Sequence, residues 1–224
     1  MASRTAQAEV ALERHRDVGR VEAFSDGVFA FAATLLALGI RIPRPDDPDA
    51  SSGLRDLVIA QWPSYFAFAL SFVTVGIVWA NDHVMFSHFV RTDRGIVLLK
   101  VLTLMFVAFL PVPTGVLGSW LANDRDRAVA VVFYAGTLMA FGIAHNLLWW
   151  YGAYRVRATS PRLSARERRA LTITWLVGPF LYALTIALAA IDARLSIAGF
   201  VLIHLLYLLP TARLVVAAQR VRSR

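Results

Sequence analysis

The first apolar run of this 224-residue chain opens on ionisable residues, Arg20-Val-Glu-Ala-Phe24-Ser25-Asp26-Gly27, and then stays apolar to Ile42. Read as a membrane helix that begins near residue 21, it carries Asp26 about 7–8 Å inside the edge, at 1.5 Å per residue. A carboxylate at that depth costs up to about a few kcal/mol and faces protein or water rather than lipid. Two chemistries fit it. One is a structural ion pair with Arg20 or with another helix; the other is a site along an ion pathway. A single arrangement can serve both.

Two stripes follow along the same helix. Ala23, Gly27, Ala30, Thr34 and Ala37 recur at spacings of four and three and make a small-residue face, which admits close approach of another helix. Phe24, Val28, Phe31, Leu35, Leu38 and Ile42 make a large apolar face. Ordinary packing on one face and lipid on the other accounts for this periodicity. So does a ring of several copies around an axis, in which the large residues form a constriction that gates ions by dewetting. Thr34 lies one turn from Phe31 and from Leu38, so its hydroxyl would reach the same axis.

The remaining polar residues are sparser. Asn81, Asp82, His83 and His88 follow the second apolar run as a hydrogen-bonded loop or a metal site. His145 and His204 lie within runs, where interhelical hydrogen bonds are the default. Lys100, inside the third, is expected to snorkel. Pro111, Pro113 and Thr114 predict a kink late in that run. There is no cysteine, so disulfides, thiolate nucleophiles and cysteine metal sites are excluded.

The elements that position these residues are read from hydropathy. The chain is 58% hydrophobic with a mean hydropathy of +0.58, against about 45–50% apolar for soluble domains. Six spans are predicted, near 21–42, 57–80, 95–119, 127–151, 170–190 and 194–212, each long enough to cross about 30 Å. The fold class is therefore all-α, a polytopic membrane protein with six transmembrane helices per subunit. A polar segment over 1–20 precedes the six-helix domain over 21–212, and a basic tail over 213–224 follows it. Pro43, Pro45 and Pro48 end the first span, and Asp192 joins the last two in a tight hairpin. The segment Met1–Arg20 has no apolar stretch and does not read as a cleavable signal.

The net charge of +8 sits in short loops, which is a topology signal rather than a nucleic-acid groove. Sixteen arginines fall on the side of the termini and the even-numbered loops and six on the other, which places both termini in the cytoplasm. Trp62, Trp79, Trp120, Trp149 and Trp150 fall near span ends, as interfacial aromatics do.

Arg20, three residues, then Phe24-Ser25-Asp26 resembles the RxxxFSD signature of the transmembrane protein 175 family, in its short bacterial branch. Phe29, Ala30, Thr34, Leu35 and Leu36 continue the likeness. Trp79, Asn81, His83 and Phe86 are similar to the family's segment after the second helix, and Leu110, Pro111, Pro113 and Thr114 to the end of its third. The likeness covers roughly the first half of the chain. It implies a potassium-permeable channel of the cell membrane, a homotetramer in the bilayer with the first helix lining the pore, no cofactor beyond the permeant potassium ion, and no carbonyl filter. Carried over by position, Phe31, Leu35 and Leu38 are the constriction and Thr34 the selectivity-linked hydroxyl. Arg20, Phe24, Ser25 and Asp26 hold the cytoplasmic end of the pore helix, with His83 as polar support. Three positions depart from the pattern: Phe31 where Ile or Leu is usual, Asp82 where a His beside His83 is expected, and Lys100 where an Asn is expected.

Other function classes leave weaker traces. No span repeats Arg or Lys every third residue, as a voltage sensor needs. A secondary transporter predicts broken helices near the midplane, for which Gly178-Pro179 in the fifth span is a candidate. A membrane enzyme needs clustered acid-base or ligand residues, which the spans after Asp26 almost lack. A purely structural membrane protein leaves Asp26 as packing.

Overall fold

Among the described residues eight α-helices follow in chain order: α1 (Ala2–Leu38), α2 (Leu54–Ala60), α3 (Trp62–Ser87), α4 (Arg94–Phe109), α5 (Pro111–Trp120), α6 (Arg127–Trp150), α7 (Ala165–Ala189) and α8 (Ala193–Leu208). The structure, a computed structural model, describes residues 2–208, and the side chains of 17–207 apart from Ala50. The basic tail over 213–224 and the end of the sixth predicted span lie outside the described residues.

Among the described residues, five stretches are long and apolar enough to cross a membrane: Asp17–Leu38, Trp62–Ser87, Arg94–Trp120, Arg127–Arg155 and Ala165–Ala189. The described part of α8 is apolar but shorter. The protein is thus an all-α integral membrane protein.

Local sequence explains the boundaries. Asp93 caps α4 by accepting from the Ile96 N–H at 2.8 Å. Ser164 and Glu167 form a reciprocal capping box at the start of α7. The expected kink falls at Leu110, between α4 and α5, because Pro111 has no N–H to continue the ladder. The helix containing Pro179 is not broken: α7 runs through it. The proline frees the carbonyl of Trp175 four residues earlier, and Asn146 Nδ2 of α6 donates to that oxygen at 3.0 Å.

Several expectations are corrected. The second span continues to Ser87, so Asn81, Asp82 and His83 are helical rather than a loop. The first helix starts far before residue 21 and ends at Leu38. Trp149 is not interfacial. It is fully buried, stacked on Phe89, edge-on to Trp175, and its indole N–H is satisfied by Thr172 Oγ1 at 2.8 Å.

The loops confirm which ends share a side. Val90 N–H donates to the Ala158 carbonyl and Ser160 N–H to that of His88, both at 2.9 Å, so the α3–α4 and α6–α7 loops are stitched together. At the other end Asp124 pairs with Arg127 and Arg194, joining the α5–α6 loop to the start of α8. Between the ends, a buried hydroxyl network ties four helices. Ser71 meets Thr114 at 2.7 Å and Tyr134 at 3.0 Å, and Thr74 meets His204 Nε2 at 2.6 Å. Lipid removes most of the hydrophobic drive between helices, so such bonds, at about 0.6 kcal/mol each, and close packing hold them.

Candidate pore helix and its polar clamp

α1 presents three distinct faces. At about 100° per residue, Ser25, Phe29, Ala32 and Leu36 share one arc, and all four are buried against the rest of the subunit. Both stripes seen in the sequence lie outside that arc. On the large face Phe24, Phe31 and Leu38 are 61%, 64% and 79% exposed, and Leu35 is partly buried. On the small face Ala23, Gly27, Ala30, Thr34 and Ala37 are all exposed. The close helix approach expected of that face is therefore not made within one subunit. Thr34 Oγ1 donates to its own helix, to the Phe31 carbonyl at 2.7 Å.

On the turns of α1 that follow Arg20, midway along the helix, two carboxylates one turn apart meet two ring nitrogens one turn apart. Trp79 Nε1 donates to Asp26 Oδ1 at 2.8 Å, and His83 Nδ1 lies 2.6 Å from Glu22 Oε1. The Trp79 and His83 rings stack on each other. Asp26 is thus held by an indole of α3, not by Arg20, which is exposed. Ser25 points into the subunit and donates to the Val21 carbonyl at 2.7 Å.

Two of the three residues that depart from the family pattern, Asp82 and Lys100, explain each other. The Lys100 ammonium of α4 donates to Asp82 Oδ1 of α3, and both side chains are almost fully buried. Lys100 does not snorkel; it is 1% exposed. Its charge also lies 4.3 Å from the Phe86 ring centroid and 6.0 Å from that of Phe29 on α1, within reach of a cation–π attraction. One buried ion pair thereby connects α3 and α4 behind the buried face of α1. No cluster of three metal-ligating side chains exists among the described residues. His83 Nδ1 faces Glu22, and the His88 ring stands edge-on to Trp149.

Of the residues expected to hold this part of the pore helix, Ser25 is buried and Asp26 and His83 join the polar contacts, whereas Arg20 and Phe24 are exposed. Glu22 and the donor role of Trp79 are not among those expectations. The signal was present as matched spacings of four, Glu22 to Asp26 and Trp79 to His83, which set both pairs on single helix faces.

Residues 20–111 match the family described as the endosomal/lysosomal potassium channel TMEM175. A protein of Streptomyces collinus named as a potassium channel is 43% identical over 189 residues, covering 84% of this chain and 90% of that protein. One of Chamaesiphon minutus, also named as a potassium channel, is 39% identical, covering 81% and 88%. The crystal structure of a lysosomal potassium-selective channel TMEM175 homolog from Chamaesiphon minutus superposes with a TM-score of 0.77 at 36% identity, covering 86% of this chain and 96% of that one. The chain belongs to the TMEM175 family, a family of ion channels and not of enzymes.

Proposed function

We propose that this protein is a potassium-permeable channel of the cell membrane, passive in mechanism, whose pore is lined by α1 from each subunit of a homotetramer. The observation that carries the reading is the exposure of two adjoining stripes on α1 while its third face is docked and clamped. A helix so held offers Phe31, Leu35 and Leu38 to a shared axis and its small residues to a neighbouring subunit. Four large apolar side chains at one level exclude water from a narrow pore, and dewetting then sets the barrier to ions. Thr34 sits beside this stretch as the hydroxyl layer.

The subunit in this reading spans the membrane six times, with α8 as the last span and both termini in the cytoplasm. The loops stitched together between α3–α4 and α6–α7 carry many of the sixteen arginines, in keeping with the positive-inside rule. Arg20, Phe24, Ser25 and Asp26 hold the cytoplasmic end of the pore helix, with His83 in support.

The test is flux in vesicles. Reconstituted protein should pass potassium down its gradient without an energy source, and faster than sodium. Phe31→Ala should raise unitary conductance by opening the narrowest ring. Saturable, obligatorily coupled exchange would establish a transporter instead, and unchanged current in Phe31→Ala would remove that residue from the constriction.

A further inference from the structure

His145 lies near the end of α6, 5% exposed. Its ring is stacked on Phe141 at 5.6 Å between centroids and stands edge-on to Trp175 of α7 at 5.8 Å. Neither ring nitrogen meets a hydrogen-bond partner from the protein among the described residues. A neutral imidazole carries one donor and one acceptor, and a buried polar atom left unmet bears its full desolvation penalty. Two such atoms on one ring call for a partner that the polypeptide does not supply.

The space for that partner is beside the ring. A cavity of about 60 Å³ is walled by α3, α6, α7 and Tyr207 of α8, with His145 and Asn81 both on its lining. One water needs about 10–15 Å³ of such volume, so the chamber holds several, or one solute of a few heavy atoms. The Asn146 amide is committed to the Gly142 carbonyl at 2.8 Å and to the Trp175 carbonyl freed by Pro179. Gly142 brings the Pro179 ring in so close that a Cβ there would lie 2.8 Å from Pro179 Cγ. The helices are wedged together one turn before His145 and leave room at its level. No carboxylate, ammonium or guanidinium lines the chamber, which disfavours an ion.

We propose that this chamber is a binding site for a small uncharged molecule that both donates and accepts a hydrogen bond, held between His145 and Asn81. Water is the smallest such molecule, and a short alcohol partitioning from the bilayer is the other source. On α3, Ile77 and Asn81 lie on the face opposite Trp79 and His83, at about 100° per residue. The occupant therefore braces the back of the helix whose front clamps α1.

The experiment uses the full-length protein, labelled with 15N-histidine and reconstituted in phosphatidylcholine vesicles. The expected result is a His145 ring with both nitrogens hydrogen-bonded and magnetisation transfer from water or added solute. His145→Gln keeps a donor and an acceptor and should hold the unfolding midpoint near that of the parent, whereas the dry isostere His145→Phe should lower it by several degrees. Titration with ethanol separates the sources: saturable movement of the His145 signals identifies a solute site, and bonded nitrogens that ethanol leaves unmoved identify water. Ring nitrogens without hydrogen bonds in the parent protein overturn the proposal, whatever the variants do.

Discussion

The Asp82–Lys100 pair makes a sharp prediction because its two members are buried together. Lys100→Met removes the ammonium and leaves Asp82, itself 5% exposed, with no cationic partner in place. Breaking a buried pair from one side costs about 3–5 kcal/mol, because a charge is stranded away from water. The lost attraction to Phe86 adds up to about 2 kcal/mol. Asp82→Leu strands the ammonium and should cost a similar amount. The double variant Asp82→Leu/Lys100→Met strands nothing, and replacing a buried pair by apolar residues of similar volume is often neutral or stabilising by about 1–4 kcal/mol. At about 2–4 °C per kcal/mol for a chain of this size, Asp82→Leu should lose about 6–20 °C in unfolding midpoint and Lys100→Met up to about 28 °C. The double variant should return to within a few degrees of the parent. The assay is thermal unfolding of detergent-solubilised protein, followed by size exclusion, for the four members of the cycle. Additive losses in the double variant would refute the reasoning, as would a Lys100→Met protein as stable as the parent.

Three further outcomes are expected. Trp79→Phe keeps the ring but deletes the N–H that reaches Asp26; it should cost about 1.5 kcal/mol, and Asp26→Asn in the same background should recover part of the loss in a denaturant titration. Gly142→Ala forces a methyl against the Pro179 ring and should destabilise by about 1–3 kcal/mol through overpacking, whereas Gly136→Ala, with open space around its Cβ, should not. Burial holds the His88 imidazole below its ordinary value near 6.5, against a smaller opposing pull from Glu167. The unfolded chain therefore binds more protons than the folded one just below that value, so stability falls as pH drops from about 6.5 towards the lowered folded value. His88→Gln should flatten that slope in a pH series of unfolding midpoints.

Much of the fold was legible in the linear chain. Span positions follow from runs of apolar residues, because the bilayer imposes one length on every crossing helix. The kink at Pro111 and the hairpin at Asp192 follow from backbone chemistry that acts within a few residues. A residue whose role depends on a partner far along the chain is not legible there. Lys100 looks like a snorkelling lysine until α3 is laid beside α4. Trp149 looks interfacial because it ends a span, yet packing of α6 on α7 buries it. Pro179 looks like a helix break, yet the Asn146 amide of the neighbouring helix accepts the role of the missing N–H.

The residues of α1 show the same division. Residue order alone determines that it carries a large stripe, a small stripe and a carboxylate near one end, since 3.6 residues per turn converts spacing into faces. Order alone does not say which face the subunit uses. Tertiary packing decided that Ser25, Phe29, Ala32 and Leu36 are spent inside, that Asp26 answers to Trp79, and that the small stripe and Phe24, Phe31 and Leu38 of the large one are left facing outward. The physical reason is that helix periodicity is a local property, whereas the choice of partner is a competition among all the faces that six apolar segments bring together.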